Sequence, residues 1–169
     1  LNATYLDYVR NFGQIDMVSI GVPGPVSDGI MGLSFPLGTE RATRFDQCFP
    51  GVNSLLVRND LHMAAMAELC YGVGRTVKNF VLVSLSTGIV VAVVIDGQLL
   101  SARTVMGHQL LFAGDRDAPR RLNHSDRWAS LCSGAAIADA GESIDFAKVK
   151  SFNRIAFANL IAAYDPEVL

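Results

Sequence analysis

The sequence predicts a globular α/β domain, and three observations lead to this class. An apolar stretch over residues 54–57 is followed by an Asn-Asp pair and then by an Ala- and Met-rich segment, the pattern of a strand that runs directly into a helix. Residues 80–85 and 89–95 have the length and the β-branched composition of neighbouring strands. Residues 146–164 repeat apolar side chains at the spacing of an amphipathic helix.

Composition and charge bound the class of protein further. A chain of 169 residues that is 50% hydrophobic can bury a sizeable core, and we expect one globular region. The formal net charge of -2 does not support nucleic-acid binding through charge. The widely spaced Cys48, Cys70 and Cys132 indicate reduced thiols in a cytoplasmic protein. No secretory signal opens the chain and no apolar run reaches membrane-spanning length.

The elements of the first half follow from apolar spacing and turn residues. Leu6, Val9 and Phe12 have a weak helical spacing, and the prolines after the first strand cannot continue a ladder. In chain order we predict a helix over residues 2–11 that stops at Gly13, a strand over Met17–Val22, a turn at residues 23–25, a strand over residues 30–35, and a short helix over residues 45–49.

The strand over residues 54–57 leads into a helix that we predict to run from Asp60 to residue 70 or 71, with Gly72 as the stop. Two hypotheses remain open for Asp60. Asp is a favoured N-cap residue, and the dipeptide by itself favours that role. Ligands of open α/β sheets also collect at the carboxyl ends of strands, so Asp60 can carry chemistry there. His62, in the first turn, is interpreted as a surface or capping residue.

The second half is predicted to hold a hairpin and two helices. The strands are predicted at residues 80–85, 89–95 and 98–100, with a turn at Asp96 and Gly97. One helix over residues 128–138 is predicted to be capped by Ser125 or Asp126 and ended by Gly141. The last helix is predicted to end before Pro166. Between the first two strands, residues 86–88 form a small polar corner where phosphate could approach backbone N–H groups. A lone His108 is, by itself, typical of a structural residue.

Taken together, these pieces resemble the ROK family of sugar kinases and sugar-responsive repressors. The motifs that match occur in family order across almost the whole chain: residues 20–25, Asn59 and Asp60 with the Ala-rich helix, residues 72–80, 87–89 and 95–100, Gly107 and His108, and residues 132–137 and 165–168. One such motif would be weak evidence, whereas the ordered series is specific.

The resemblance implies an actin-like ATPase (ribonuclease H-like) fold, in part, with mixed sheets flanked by helices. It implies a single ROK-like region over residues 1–169, with a sugar-side lobe over about residues 1–80, a nucleotide-side lobe over about residues 80–169, and a cleft between them. Kinases of the family transfer the γ-phosphoryl group of MgATP to a hydroxyl of a hexose or an N-acetylhexosamine. A small sugar is therefore the expected partner, and homo-oligomers are common in the family.

The resemblance also assigns roles to six residues. They are Asp60 as the catalytic base, Gly24, Asn59 and His108 as sugar-binding residues, and Thr87 and Gly88 at the ATP phosphates. The role of Asp60 is physically reasonable, because an attacking alcohol must lose its proton and a carboxylate within hydrogen-bond reach can accept it. We expect ATP and Mg²⁺ as cofactors if the chain is active, with no nucleic acid bound through this region and no membrane partner.

The departures from the family pattern count against activity. Val105 and Ala129 stand where the family has glutamates. Val90, Val91 and Ala92 replace three glycines of the phosphate hairpin, and their side chains would crowd a phosphate. The segment that resembles the family's Cys-rich zinc loop contains no cysteine, so we predict no zinc.

The two ends of the sequence suggest that it is cut or incomplete. The chain begins with Leu1, not Met, and a new apolar strand begins at residues 165–169. The family's first phosphate loop and closing glycine pair would lie beyond these ends. We expect a ROK-type sugar kinase-like domain, or alternatively a catalytically silent sugar-binding or oligomerisation domain of a ROK-type regulator. The third hypothesis is a degenerate remnant that binds neither ligand.

Overall fold

The computed structural model describes residues 1–34, 37–100, 106–111 and 126–169. The chain divides into two units, unit 1 over Leu1–Ala64 and unit 2 over Ala65–Leu169. The division falls inside helix α2 (Asp60–Tyr71), whose bounds agree with the sequence prediction. The assignment of a sugar-side and a nucleotide-side lobe with a boundary near residue 80 remains a prediction.

The described residues of unit 1 form α1 (Asn2–Phe12), β1 (Met17–Val22), β2 (Val26–Ser27), β3 (Ile30–Met31), β4 (Ser54–Asn59) and a 3-10 turn at Asp46–Cys48. The stop of α1 at Gly13 is confirmed, since its φ of +92° is a conformation that glycine adopts without strain. The predicted strand over residues 30–35 is shorter than expected, because the chain turns back and Ser34 pairs with Thr39.

The pairing of β1 with β4 places two segments with predicted site residues side by side. The two strands are parallel, with Ile20 opposite Val57 and Val22 opposite Asn59, so both carboxyl ends lie at the same edge. The apolar core of unit 1 lies around these strands and contains Tyr5, Val22, Met31, Phe45, Phe49 and Val57. Tyr5 packs edge-on against Phe49 with the ring centroids 5.3 Å apart, which fixes α1 on this core.

The described residues of unit 2 form β5 (Phe80–Leu85), β6 (Ile89–Ile95), β7 (Gln98–Leu99), α3 (Trp128–Cys132), α4 (Gly134–Ala140) and α5 (Phe146–Tyr164), with 3-10 turns at Val73–Arg75, Met106–His108 and Gly141–Ser143. The strands form an antiparallel sheet in the order β5, β6, β7, as the hairpin prediction required. Val168 then forms an isolated parallel bridge with Phe80, so the segment after Pro166 lies beside β5.

The predicted single helix over residues 128–138 is wrong, because it breaks at Ser133. Ser133 is extended, with φ of -71° and ψ of 159°, and its hydroxyl caps α4 by accepting the Ala136 N–H. The N–H of Gly134 donates to the carbonyl of Ser86 at 2.7 Å, a tertiary contact that replaces helical bonding. The predicted cap at Asp126 is also wrong, since Arg127 is the residue before α3; Ser125 lies outside the described residues.

Helix α5 is confirmed with the predicted bounds. Asp145 caps it by accepting the N–H groups of Ala147 and Lys148 at 3.0 and 3.1 Å. Ala156 and Leu160 are fully buried in the core of unit 2, together with Val81, Ile89, Val91, Val93, Trp128 and Cys132. Among the described residues, no helix is both long enough and apolar enough to cross a membrane.

Candidate functional site

Asn59, and not Asp60, is the N-cap of α2. Its Oδ1 accepts the N–H of Leu61 at 3.1 Å and the N–H of His62 at 3.2 Å, as an N-cap oxygen should. Its Nδ2 donates to the carbonyl of Gly24 at 3.1 Å and lies 3.5 Å from that of Val22. These partners orient the amide, because only the oxygen can accept the helix N–H groups.

The cap role favoured for Asp60 by the dipeptide is therefore corrected. Asp60 is exposed, and its Oδ1 accepts the N–H of the next residue, Leu61, at 2.8 Å. That contact is shared, since the same N–H also donates to Asn59. The carboxylate of Asp60 thus lies in the first turn of α2 but does not serve as its cap. It remains accessible to solvent.

Gly24 lies in the loop after β1, and polar contacts hold this loop from two sides. The carbonyl of Gly24 accepts from Asn59, whereas the hydroxyl of the buried Ser34 donates to the carbonyl of Pro23 at 2.5 Å. A Cβ on Gly24 would lie 3.3 Å from Met31 and 3.4 Å from Ser34, so the residue packs tightly there. Sequence reasoning missed Ser34, because its partner lies eleven residues away and leaves no local pattern.

Gly24, Asn59 and Asp60, which we call the Asn59 corner, meet at the carboxyl edge of the β1 and β4 pair. His62 follows in the first turn of α2, as predicted, and is half-buried. Burial lowers the pKa of His62, while the neighbouring Asp60 carboxylate raises it by a smaller amount. The corner therefore combines an exposed carboxylate, a fixed amide and an imidazole that favours its neutral form.

In unit 2, the predicted phosphate site lies at the turn between β5 and β6. The carbonyls of Ser86 and Thr87 accept from the N–H groups of Gly134 and Ala135 at 2.7 and 3.2 Å. Because each trans peptide directs its N–H opposite to its C=O, the N–H groups of Thr87 and Gly88 point away from α4. A Cβ on Gly88 would meet nothing within 4 Å, so there is open space beside this residue. Two successive N–H groups that point away from the helix can hold a phosphate oxygen.

Val90, Val91 and Ala92, for which the resemblance predicts glycines, differ in exposure. Val91 and Ala92 are 3% and 1% exposed, and Val91 belongs to the apolar core of unit 2. Val90 is half-buried and lies opposite Ser84 in the hairpin. Of the three side chains, only that of Val90 is therefore partly exposed next to the turn.

His108 lies at the end of a 3-10 turn whose position depends on Gly107. A Cβ on Gly107 would overlap the carbonyl oxygen of Ile89, so this turn packs directly on the backbone of β6. Arg127 Nη1 lies 2.9 Å from His108 Nδ1. Sequence reasoning missed Arg127, which follows a charged stretch with no distinctive spacing. We call Gly107, His108 and Arg127 the His108 corner.

Two further sequence predictions concern carboxylates and metals. Ala129 is half-buried and packs against the apolar core of unit 2, whereas Val105 lies outside the described residues. Within the ranges that the structure describes, no three His, Cys, Asp or Glu side chains gather as a metal site. The absence of zinc remains a prediction.

A family sequence model and several solved structures are similar to this chain, and both point to one family. No curated protein sequence matches the chain. The model of the ROK family matches residues 3–153. The structure is similar to an inorganic polyphosphate/ATP-glucomannokinase from Arthrobacter sp. strain KM, with a TM-score of 0.70 and 19% identity over 99% of this chain and 64% of that chain.

Two other solved structures widen this comparison. A ROK family glucokinase from Streptomyces griseus, in complex with glucose and AMPPNP, has a TM-score of 0.70 and 17% identity over 99% of this chain and 70% of that chain. A ROK family transcriptional regulator, a homologue of the E. coli MLC protein, has a TM-score of 0.68 and 19% identity over 98% of this chain and 52% of that chain. These likenesses show the actin-like ATPase fold predicted from the sequence, and the chain spans 52% to 70% of the length of these three proteins.

Proposed function

The chain belongs to the ROK family, and on this premise we propose that it is a sugar kinase-like domain that binds a hexose or an N-acetylhexosamine at the Asn59 corner. One observation carries the proposal: Asn59 caps α2, so the exposed Asp60 carboxylate is not required for the cap. In the proposed reaction, Asp60 accepts the proton of the sugar hydroxyl that attacks phosphorus. Asn59 and Gly24 shape the surface beside that hydroxyl.

The proposal includes ATP as the phosphoryl donor. The N–H groups of Thr87 and Gly88 would hold phosphate oxygens, and the space beside Gly88, where a Cβ would meet nothing within 4 Å, supports this. When bound, ATP supplies the γ-phosphoryl group, and Mg²⁺ offsets its negative charge. The Streptomyces glucokinase, which has the same fold, was solved with AMPPNP and glucose. His108 would contribute a hydrogen bond to the sugar.

Other parts of the proposal concern organisation and location. A sugar-side lobe over about residues 1–80 and a nucleotide-side lobe over about residues 80–169 follow the family resemblance. The three free thiols favour a cytoplasmic location. Homo-oligomers are proposed by the same resemblance, with no nucleic acid and no membrane bound through this region.

A second candidate is a catalytically silent sugar-binding or oligomerisation domain of a ROK-type regulator. It is favoured by Ala129, which packs against the apolar core of unit 2 where the resemblance leads us to expect a carboxylate. The fold by itself does not separate the two candidates, because a ROK transcriptional regulator and ROK kinases are both similar to this chain.

The test is a coupled assay of ADP release with glucose, N-acetylglucosamine, N-acetylmannosamine and allose. We expect turnover with one of them and a loss of about a hundredfold or more in Asp60→Asn, since a general base contributes that much. Asp139→Asn, an exposed carboxylate on α4, is the matched control and should keep full turnover. Turnover that survives Asp60→Asn would contradict the proposed base. Sugar binding in calorimetry without turnover would favour the silent domain. If the chain shows neither turnover nor sugar binding, both candidate functions are excluded.

A further inference from the structure

We propose that a cavity in unit 1 is a binding site for a free α-amino acid with an aliphatic side chain, whose ammonium pairs with Asp28 and whose carboxylate pairs with Arg44. The cavity has a volume of about 200 Å³, and all the residues that line it belong to unit 1. None of them is part of the Asn59 corner. The site therefore goes beyond the proposed function and does not depend on it.

Four of the residues that line the cavity are apolar. Phe45 and Val57 are buried members of the core of unit 1, and Ile30 and Leu55 beside them are half-buried. Their side chains offer a ligand branched and aromatic surface without a hydrogen-bonding group, so a group that binds against them gains free energy by burying apolar area. The cavity is smaller than the roughly 300–1,000 Å³ of sites for drug-sized molecules, which limits the ligand to a small molecule with an aliphatic part.

Arg44, which also lines the cavity, has a guanidinium group whose donors are only partly used. Its Nε and Nη2 donate to Oδ1 and Oδ2 of Asp46, both at 3.3 Å, so Asp46 binds one side of the planar group. This bidentate contact orients the guanidinium. Within the described part of the chain, Arg44 Nη1 donates to no acceptor. The edge formed by Nη1 and Nη2 is therefore left for a second carboxylate, which it can bind with two parallel hydrogen bonds.

The pair of Arg44 and Asp46 orients the guanidinium without supporting the fold. The hydrogen bond from Arg44 lowers the pKa of Asp46, so this carboxylate is ionised at neutral pH and keeps its hold on the guanidinium. The two side chains are 67% and 54% exposed, and ion pairs in such positions contribute little to stability. A substitution at Arg44 can therefore remove the donors while the chain stays folded.

Asp28 brings the opposite charge to the same cavity. Asp28 and Gly29 form the turn between β2 and β3, with φ of +52° and +74°, and Asp-Gly is a favoured sequence for such a hairpin turn. The Oδ2 of Asp28 accepts the hydroxyl of Ser27 at 3.1 Å. The ion pairs among the residues that the structure describes do not include Asp28. Its carboxylate and the Arg44 guanidinium thus belong to one cavity without pairing with each other.

An aliphatic α-amino acid matches all three features of this cavity. Its ammonium and carboxylate groups are attached to the same carbon and can contact an anion and a cation on two walls, while its side chain covers the apolar residues between them. A fatty acid would leave Asp28 without a partner, and an alkylamine would leave the free edge of Arg44 without one. A sugar would place hydroxyl groups against apolar side chains that cannot bond them.

The first arm of the test varies the ligand. In an NMR titration of the full chain with L-leucine, we expect saturable shifts of the backbone amide signals of Gly29, Ile30 and Phe45. Isocaproate lacks the ammonium group of leucine and isoamylamine lacks its carboxylate, and each should bind about tenfold more weakly, the loss typical of one hydrogen bond to a charged group. Glycine, which lacks the aliphatic side chain, should also bind about tenfold more weakly or worse.

The second arm varies the protein. Arg44→Gln and Asp28→Asn each remove one charge and should weaken leucine binding about tenfold. Asn tolerates the positive φ at position 28, so the turn is kept. Arg41→Gln and Glu40→Gln are the matched controls, since both residues are exposed and neither lines the cavity, and they should leave the affinity unchanged. Amide signals of unit 2 that do not shift in the variants exclude unfolding as the cause.

Each outcome supports or overturns the proposal. The absence of saturable shifts up to the solubility of leucine would overturn it. So would isocaproate or isoamylamine that binds as tightly as leucine, because only one of the two charges would then be used. Leucine binding that survives both Arg44→Gln and Asp28→Asn would show that another site holds the ligand. Binding that is weakened by these two variants and kept in both controls supports the site. No readout involves turnover or sugar, so the proposed function is decided separately.

Discussion

The Asn59 corner and the His108 corner are held in place by different kinds of interaction. At the Asn59 corner, one amide side chain near the surface bonds the start of α2 and the loop at Gly24. At the His108 corner, a glycine packs on the backbone of β6 and the fully buried Trp128 follows Arg127. The first corner depends mainly on side-chain hydrogen bonds, those of Asn59 and that of Ser34, whereas the second depends on packing in the core of unit 2.

This difference predicts how each corner responds to change. Loss of a side-chain cap typically costs about 1 kcal/mol and leaves the surrounding packing intact. An added atom in a tightly packed region forces backbone shifts, which cost about 1–3 kcal/mol or more. The His108 corner should therefore be disrupted by the addition of a methyl group, and the Asn59 corner by the removal of an amide.

The largest expected effect is that of Gly107→Ala. Because the new Cβ would overlap the carbonyl oxygen of Ile89, we expect the free energy of unfolding to fall by about 3 kcal/mol. Gly88→Ala is the matched control, since its Cβ would meet nothing within 4 Å, and it should change stability by less than about 0.5 kcal/mol. Urea unfolding followed by the fluorescence of Trp128, the single tryptophan, measures both. Equal stabilities of the two variants would show that the turn at Gly107 moves freely.

A smaller effect is expected for Asn59→Ala. This variant loses the cap of α2 and the bond to Gly24, so we expect a decrease of about 1–2 kcal/mol in the free energy of unfolding. Asn59→Asp keeps the acceptor but not the donor, and should lie between Asn59→Ala and the wild type. Asp60→Asn should cost less than about 0.5 kcal/mol, because Asp60 is not the cap. Thermal unfolding, followed by circular dichroism at about 222 nm in the α-helix band, measures the stability of these variants. A larger loss in Asp60→Asn than in Asn59→Ala would contradict the assignment of the cap.

The smallest expected effect is a pH dependence that comes from His62. Burial places its folded pKa below the ordinary value of 6.5, so the unfolded chain binds the proton more tightly. The contribution of His62 to stability is therefore present above pH 6.5 and is lost as the pH falls through the lowered pKa. His62→Gln should give a flatter curve of unfolding free energy against pH between about 7 and 5 than the wild type. A steeper curve in the variant would reverse the sign of the inferred shift.

Several parts of the fold could be predicted from local sequence because their signals are local. The bounds of α2 and α5 follow from helical spacing, from polar residues at the start and from stop residues at the end, as at Gly72. The β5 and β6 hairpin follows from two β-branched stretches. The polar turn at Thr87 and Gly88 follows from the interruption between them.

Other parts could not be predicted, because partners distant in sequence decide them. The break at Ser133 depends on the bond from the Gly134 N–H to the carbonyl of Ser86, which lies far earlier in the chain. The Ser34 hydroxyl meets Pro23 only because the chain turns back after β3. Neither contact alters the apolar periodicity on which sequence reasoning depends.

The sequence by itself determined the longer strands and helices α1, α2 and α5, and it located Asn59 and Asp60 at a strand-to-helix junction, because both depend on the spacing of neighbouring residues. Only the tertiary structure decided which of the two caps α2. The choice depends on the parallel pairing of β1 with β4, which brings Gly24 within reach of the Asn59 amide. It likewise brought Arg127 next to His108, because antiparallel backbone pairing places the guanidinium 2.9 Å from an imidazole that lies nineteen residues away in the chain.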